Sequence, residues 1–128
     1  MSLRSPLGKV LGSGAAGQGV HHWWLQRLTS LALVPLTIWF AVSLLALPSL
    51  DYATVAAWMH GSFTALLLIL MLLTGAWHSQ LGLRVVIEDY VHGAGSRTLL
   101  LVLALFANVL LAAAGVFAVL RIALGAAA

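Results

Sequence analysis

Three apolar runs, each at least as long as a bilayer is thick, leave this chain few ways to fold. They extend from about Leu25 to Leu47, from about Val55 to Ile87 and from about Thr98 to Leu120. Roughly 20 residues in a helix rising about 1.5 Å each cross the hydrocarbon core. In lipid every backbone amide and carbonyl must be paired within the protein, and a single apolar segment achieves that only as a helix. The reading is therefore an all-α integral membrane protein with three transmembrane helices. Composition agrees, because hydrophobic residues make up 62% of the chain and charged residues 7%, unlike a soluble globular domain.

The 128 residues form a single membrane domain, with residues 1–22 expected as a flexible amino-terminal arm. That arm carries Arg4 and Lys9 but no apolar core, so it is not a cleavable secretory signal. Its glycines, Gly12-Ser13-Gly14-Ala15-Ala16-Gly17, follow no strand and do not make a dinucleotide loop. Pro48-Ser49-Leu50-Asp51-Tyr52 reads as a turn, with Asp51 suited to start a helix. The second span is longer than a bilayer requires, so its carboxyl end projects into the interface or bends near Gly82. His92 to Arg97 reads as a loop, and Ala112-Ala113-Ala114-Gly115 as a strip for close helix packing.

Loop charges set the expected orientation. Arg4, Lys9 and Arg27 precede the first span and Arg84 and Arg97 follow the second, whereas the loop between the first two spans holds Asp51 and no basic residue. The amino terminus is then cytoplasmic and the carboxyl terminus periplasmic, with Arg121 dissenting. The net charge of +3 comes from few groups and contains no basic run, so no nucleic-acid partner is expected. The chain has no cysteine, which excludes disulfides, thiolate zinc sites and iron–sulfur clusters ligated by this chain. A metal here must be held by histidine.

His78 is the histidine that most needs a reason, since it lies inside an apolar helix and ionisable groups at that depth mark sites. Gly82 is one turn further on the same face, where the missing side chain lets a flat ligand approach. Three readings stand: an axial ligand to haem, a hydrogen bond to a neighbouring helix, or a proton relay. His60 shares the face but stands about 27 Å away if the helix is continuous, too far to ligate the same metal. A six-coordinate haem would therefore draw its second axial ligand from another chain.

Glu88, Asp89 and Tyr90 cluster where the second span leaves the membrane. A phenol there can donate a hydrogen bond to a quinone carbonyl, and adjacent carboxylates can pass protons. Alternatively Tyr90 is an interfacial aromatic, and Glu88 and Asp89 are solvated or paired with Arg84 or Arg97. Arg27 lies near the start of the first span, where a guanidinium can pair with an anionic cofactor group or simply anchor the helix. Asn108, midway along the third span, is expected to hydrogen-bond another helix.

The pattern His-x3-Gly-x6-Asp-Tyr at His78, Gly82, Asp89 and Tyr90, with Gly19-Val20-His21-His22-Trp23-Trp24-x-Gln26-Arg27-x-Thr29 before it, resembles the small hydrophobic membrane-anchor subunit of bacterial succinate dehydrogenase. That is the D subunit of respiratory complex II, and the resemblance covers most of the chain. It implies that His78 is an axial ligand to haem b, whose other ligand comes from a companion cytochrome b anchor subunit. It also implies that Tyr90 hydrogen-bonds ubiquinone with Asp89 beside it, and that Arg27 and His21 lie near the haem propionates. The alignment is ambiguous by one residue at His21-His22, and Glu88 is a proton-path candidate only. The flavin and the iron–sulfur clusters would belong to partner subunits in the bacterial inner membrane complex. A quinol:fumarate reductase anchor and a purely structural or assembly protein are the competing readings. A transporter is disfavoured, because the spans hold too few polar residues to line a path.

Overall fold

The computed structural model describes residues 19–125, and every element in them is helical. Helix α1 is Gly19–Leu45, α2 is Tyr52–Met59, α3 is Ser62–Tyr90 and α4 is Ala94–Ala123. Helices α1, α3 and α4 are each long and apolar enough to cross a membrane.

The ends of these helices differ from the sequence expectation for local reasons. Helix α1 starts at Gly19, so residues 19–22 of the expected arm are helical and residues 1–18 lie outside the described region. Adding residues to an existing helix gains a hydrogen bond for each one fixed, so the apolar segment propagates back through His21-His22-Trp23-Trp24. At the other end α1 stops at Leu45 rather than Leu47. Pro48 disfavours helical backbone in the residue before it, and one tighter turn, Leu47 N–H to Leu44 O at 3.2 Å, closes the end. Pro35 sits inside α1 without ending it.

The expected second span, 55–87, is two helices. Asp51 is the N-cap of the short α2, accepting from the Thr54 amide at 2.9 Å and the Thr54 hydroxyl at 3.0 Å. The Ser49 hydroxyl also donates to Asp51. Hydrogen bonds from Ser49, then from the Thr54 amide and hydroxyl, hold the Asp51 carboxyl down at about 2, against an ordinary 3.8. Helix α2 ends at Met59 with His60 as its C-cap, and Gly61 is extended, with φ −63° and ψ 122°. Glycine is the weakest helix former after proline, so the interruption falls there. Helix α3 then begins afresh at Ser62 and runs through Tyr90, three residues beyond Ile87. His60 and His78 therefore do not share one continuous helix face.

The loop expected from His92 to Arg97 shrinks to Val91–Gly93, because Gly93 is the extended N-cap of α4 and residues 94–97 are helical. Arg97 reaches back and donates from Nε to Val91 O at 2.9 Å, satisfying a carbonyl just beyond the end of α3.

Helix α3 is central, with α1 and α4 both packed against it and α2 touching α3 and α4. Ala65, Leu68 and Val119 are buried at the end remote from Gly19, ringed by Trp39, Phe40, Trp58 and Leu72. The Trp39 and Trp58 rings stack there with centroids 5.9 Å apart. Gly115 allows α4 to approach α3, since a Cβ on it would stand 3.1 Å from Leu72 Cδ1. Midway, Asn108 Nδ2 donates to Gln80 Oε1 across the same pair of helices at 3.2 Å. Outside these contacts, large apolar side chains such as Leu31, Ile38, Phe106 and Leu111 are exposed. An outer surface of that kind belongs in lipid or against other apolar helices.

Candidate functional site

Where α1 crosses α3, the polar side chains of the first span meet His78. Gln26, Thr29 and Ser30 are half-buried and lie on one face, since residues three and four apart on a helix are neighbours. His78 is half-buried opposite them. Its Nδ1 lies 2.9 Å from Thr29 Oγ1, and its Nε2 lies 3.4 Å from Gln26 Nε2. Thr29 Oγ1 also lies 2.8 Å from Leu25 O and 3.1 Å from Gln26 O, and Ser30 Oγ donates to Gln26 O at 2.8 Å. A hydrogen bond from His78 to a neighbouring helix, one of the three readings open for it, is thus present, with Thr29 as its partner.

Gly82, one turn beyond His78, faces α1 as well. A Cβ there would meet Gln26 Nε2 at 3.8 Å, an ordinary contact. Two polar atoms beside this cluster, Gln26 Oε1 and His22 Nε2, are buried and have no hydrogen-bond partner among the described residues. A buried polar atom left unpaired costs about 1–3 kcal/mol, so orphaned atoms beside a histidine fit a polar or metal-bearing group at this place. Among the described residues no three His, Asp or Glu side chains converge as a metal site.

The hydrogen-bond partners of His78 among the described residues are Gln26 and Thr29, not Arg27 or His21. The Arg27 guanidinium carbon lies 5.6 Å from the Trp23 ring centroid, an exposed cation–π contact. His21 is exposed while His22 is half-buried. Both histidines line a cleft of about 720 Å³ beside Gln80, Arg84, Glu88 and Leu105. In the sequence His22 is only the alternative to His21, and Gln26 and Thr29 belong to the amino-terminal motif without a role. Their signal was the spacing 22, 26, 29, which marks one helical face.

The carboxyl end of α3 carries the second cluster. Glu88 is paired with Arg84 one turn earlier, at 2.8 Å from its Nε. Asp89 and Tyr90 are exposed in the last turn, and Tyr90 is 79% exposed. Helix α3 is unbroken from His78 to Tyr90, so Asp89 falls close to the His78 face, three turns on. The two clusters are separate places on one helix.

Three membrane-length helices, with a histidine-centred polar cluster between two of them, define a multi-pass membrane protein. Residues 1–119 match the model of the succinate dehydrogenase/fumarate reductase transmembrane subunit family. The chain is 32% identical to the succinate dehydrogenase hydrophobic membrane anchor subunit of Rickettsia conorii over 87% of its length and 90% of that protein. It is 30% identical to the subunit of the same name from Paracoccus denitrificans over 98% of its length and 97% of that protein. The chain therefore belongs to the succinate dehydrogenase/fumarate reductase transmembrane subunit family.

Proposed function

We propose that this chain is the small membrane anchor of a succinate:ubiquinone oxidoreductase in a bacterial inner membrane. It would hold a flavoprotein and an iron–sulfur subunit to the bilayer and pack against a companion cytochrome b anchor subunit. The names of the Rickettsia and Paracoccus relatives favour succinate oxidation over the fumarate reductase direction. Orientation follows from the loop charges, with the amino terminus and the α3–α4 loop cytoplasmic.

The observation that carries the site reading is His78 itself. It is a half-buried histidine in a membrane-length helix, and its Nε2 has one long contact, to Gln26. The orphaned Gln26 Oε1 and His22 Nε2 beside it support haem b as the group that belongs there. His78 would hold the haem iron from this chain, and the companion subunit would supply a second ligand. Arg27 and His21 lie near the same end of the membrane and would pair with the propionates. When bound, haem supplies a one-electron carrier within the membrane. The chain's own groups do the rest: Tyr90 donates a hydrogen bond to a quinone carbonyl, and Asp89 beside it passes protons. Reduction to the quinol consumes two electrons and two protons, and the exposure of Asp89 and Tyr90 leaves them open to protons from water.

The test is His78→Ala in the assembled complex. Loss or alteration of the haem b absorption spectrum is expected, and an unchanged spectrum would refute the ligand assignment.

A further inference from the structure

Thr29 and His78 make a contact in which the position of the hydrogen can be deduced. A threonine hydroxyl has one hydrogen to donate, and carbonyl oxygens only accept. Thr29 Oγ1 stands 2.8 Å from Leu25 O and 3.1 Å from Gln26 O. If its hydrogen turned toward His78 Nδ1, the oxygen would face two carbonyls at hydrogen-bond distance with only lone pairs to offer. The hydrogen therefore goes to the main chain, as threonines in membrane helices commonly arrange it. The free lone pair of Oγ1 then accepts from His78, and the 2.9 Å contact is an Nδ1–H···O hydrogen bond.

The other ring nitrogen agrees. Nε2 faces the Gln26 amide nitrogen at 3.4 Å, a group that only donates. With the hydrogen on Nδ1, Nε2 carries the lone pair, which can accept from that amide. The contact is too long to hold the amide firmly. Gln26 Oε1 has no partner to hold it either. Gln26 is thus a displaceable neighbour, and Thr29 is the fixed one, anchored to its own helix.

We propose that Thr29 is the positioning residue of this site: it locks His78 in the Nδ1–H tautomer, fixes its ring plane and presents the Nε2 lone pair for ligation. This rests on the reading of His78 as a haem ligand. A hydrogen bond accepted from the second nitrogen of a ligating histidine orients the ring and makes the ligand more basic. A more basic ligand favours the oxidised iron. Thr29→Val keeps the shape of the side chain and removes the acceptor.

The experiment uses the assembled complex, comparing wild type, Thr29→Val, Thr29→Ser and His78→Ala by potentiometric titration and low-temperature electron paramagnetic resonance of the haem. Thr29→Val is expected to raise the haem potential and shift the low-spin signal, with Thr29→Ser restoring both. A wild-type potential and signal in Thr29→Val, with the haem spectrum lost in His78→Ala, overturns the positioning role and leaves the ligand reading intact. A wild-type haem spectrum in His78→Ala overturns the ligand reading itself. Wild-type complex from haem-deficient cells, ¹⁵N-labelled at histidine, tests the tautomer without relying on any Thr29 variant. Its His78 resonances, identified by their loss in His78→Ala, should show hydrogen on Nδ1 and none on Nε2. The reverse tautomer overturns the proposal.

Discussion

Tyr90 is exposed at the last turn of α3, held by no described side chain, so its hydroxyl is free for a ligand. On the proposed quinone reading, Tyr90→Phe removes one neutral hydrogen bond and leaves the ring. Quinone reduction should slow about 2- to 10-fold, the kinetic equivalent of about 0.5–1.5 kcal/mol. Succinate oxidation with an artificial acceptor should be preserved, and loss of both activities would indicate failed assembly instead. Glu88 differs from its neighbours because Arg84 already engages it. The pair is exposed, so its strength is modest, but it explains why Asp89 rather than Glu88 is the free carboxylate at this end.

At the scale of elements, the short helix α2 depends on its cap. Asp51 receives hydrogen bonds from Ser49 and from the amide and hydroxyl of Thr54, and these favour the charged carboxylate. Its folded pKa of about 2 lies below the ordinary 3.8, so its contribution is full above about pH 4 and disappears as pH falls toward 2. Asp51→Ala should lower the thermal unfolding temperature of the detergent-solubilised complex at pH 7. The gap between wild type and variant should narrow as pH falls from about 4 to about 2, and a gap that stays constant there would contradict the assignment. The division of the second apolar run into α2 and α3 was partly legible. Asp51 announced a helix start, but an apolar sequence continues on both sides of His60-Gly61, so hydropathy alone runs through the break.

For the molecule as a whole, contact between helices matters more than an apolar core. Lipid is as apolar as leucine, so association depends on close packing and on interhelical hydrogen bonds. Gly115 against Leu72 and Asn108 against Gln80 supply one of each between α3 and α4. Gly115→Val would place methyl groups into Leu72, and overpacking of this kind costs about 1–3 kcal/mol. The expected result is a lower thermal inactivation midpoint of the solubilised complex, with the haem spectrum retained in the molecules that assemble. An unchanged midpoint would mean that α4 does not depend on this contact. The exposed apolar faces of α1 and α4, which include Leu31, Ile38, Phe106 and Leu111, are large for so small a chain. A surface so apolar fits the role of an anchor among other membrane helices.

What the sequence by itself determined is the membrane class and the three crossings, with His78 marked as an ionisable group that needs a partner. Hydrocarbon imposes those conclusions, since it permits only helices of a certain length and makes each ionisable group costly. The sequence also contained the face formed by His22, Gln26 and Thr29, but a helical stripe does not say which helix it meets. Only the tertiary structure decided that α1 crosses α3 with Thr29 against His78, and that His22 rather than His21 turns a ring nitrogen inward. Contacts between residues 49 positions apart arise from the packing of two helices whose relative rotation no local pattern encodes. The proton on His78 follows from that packing.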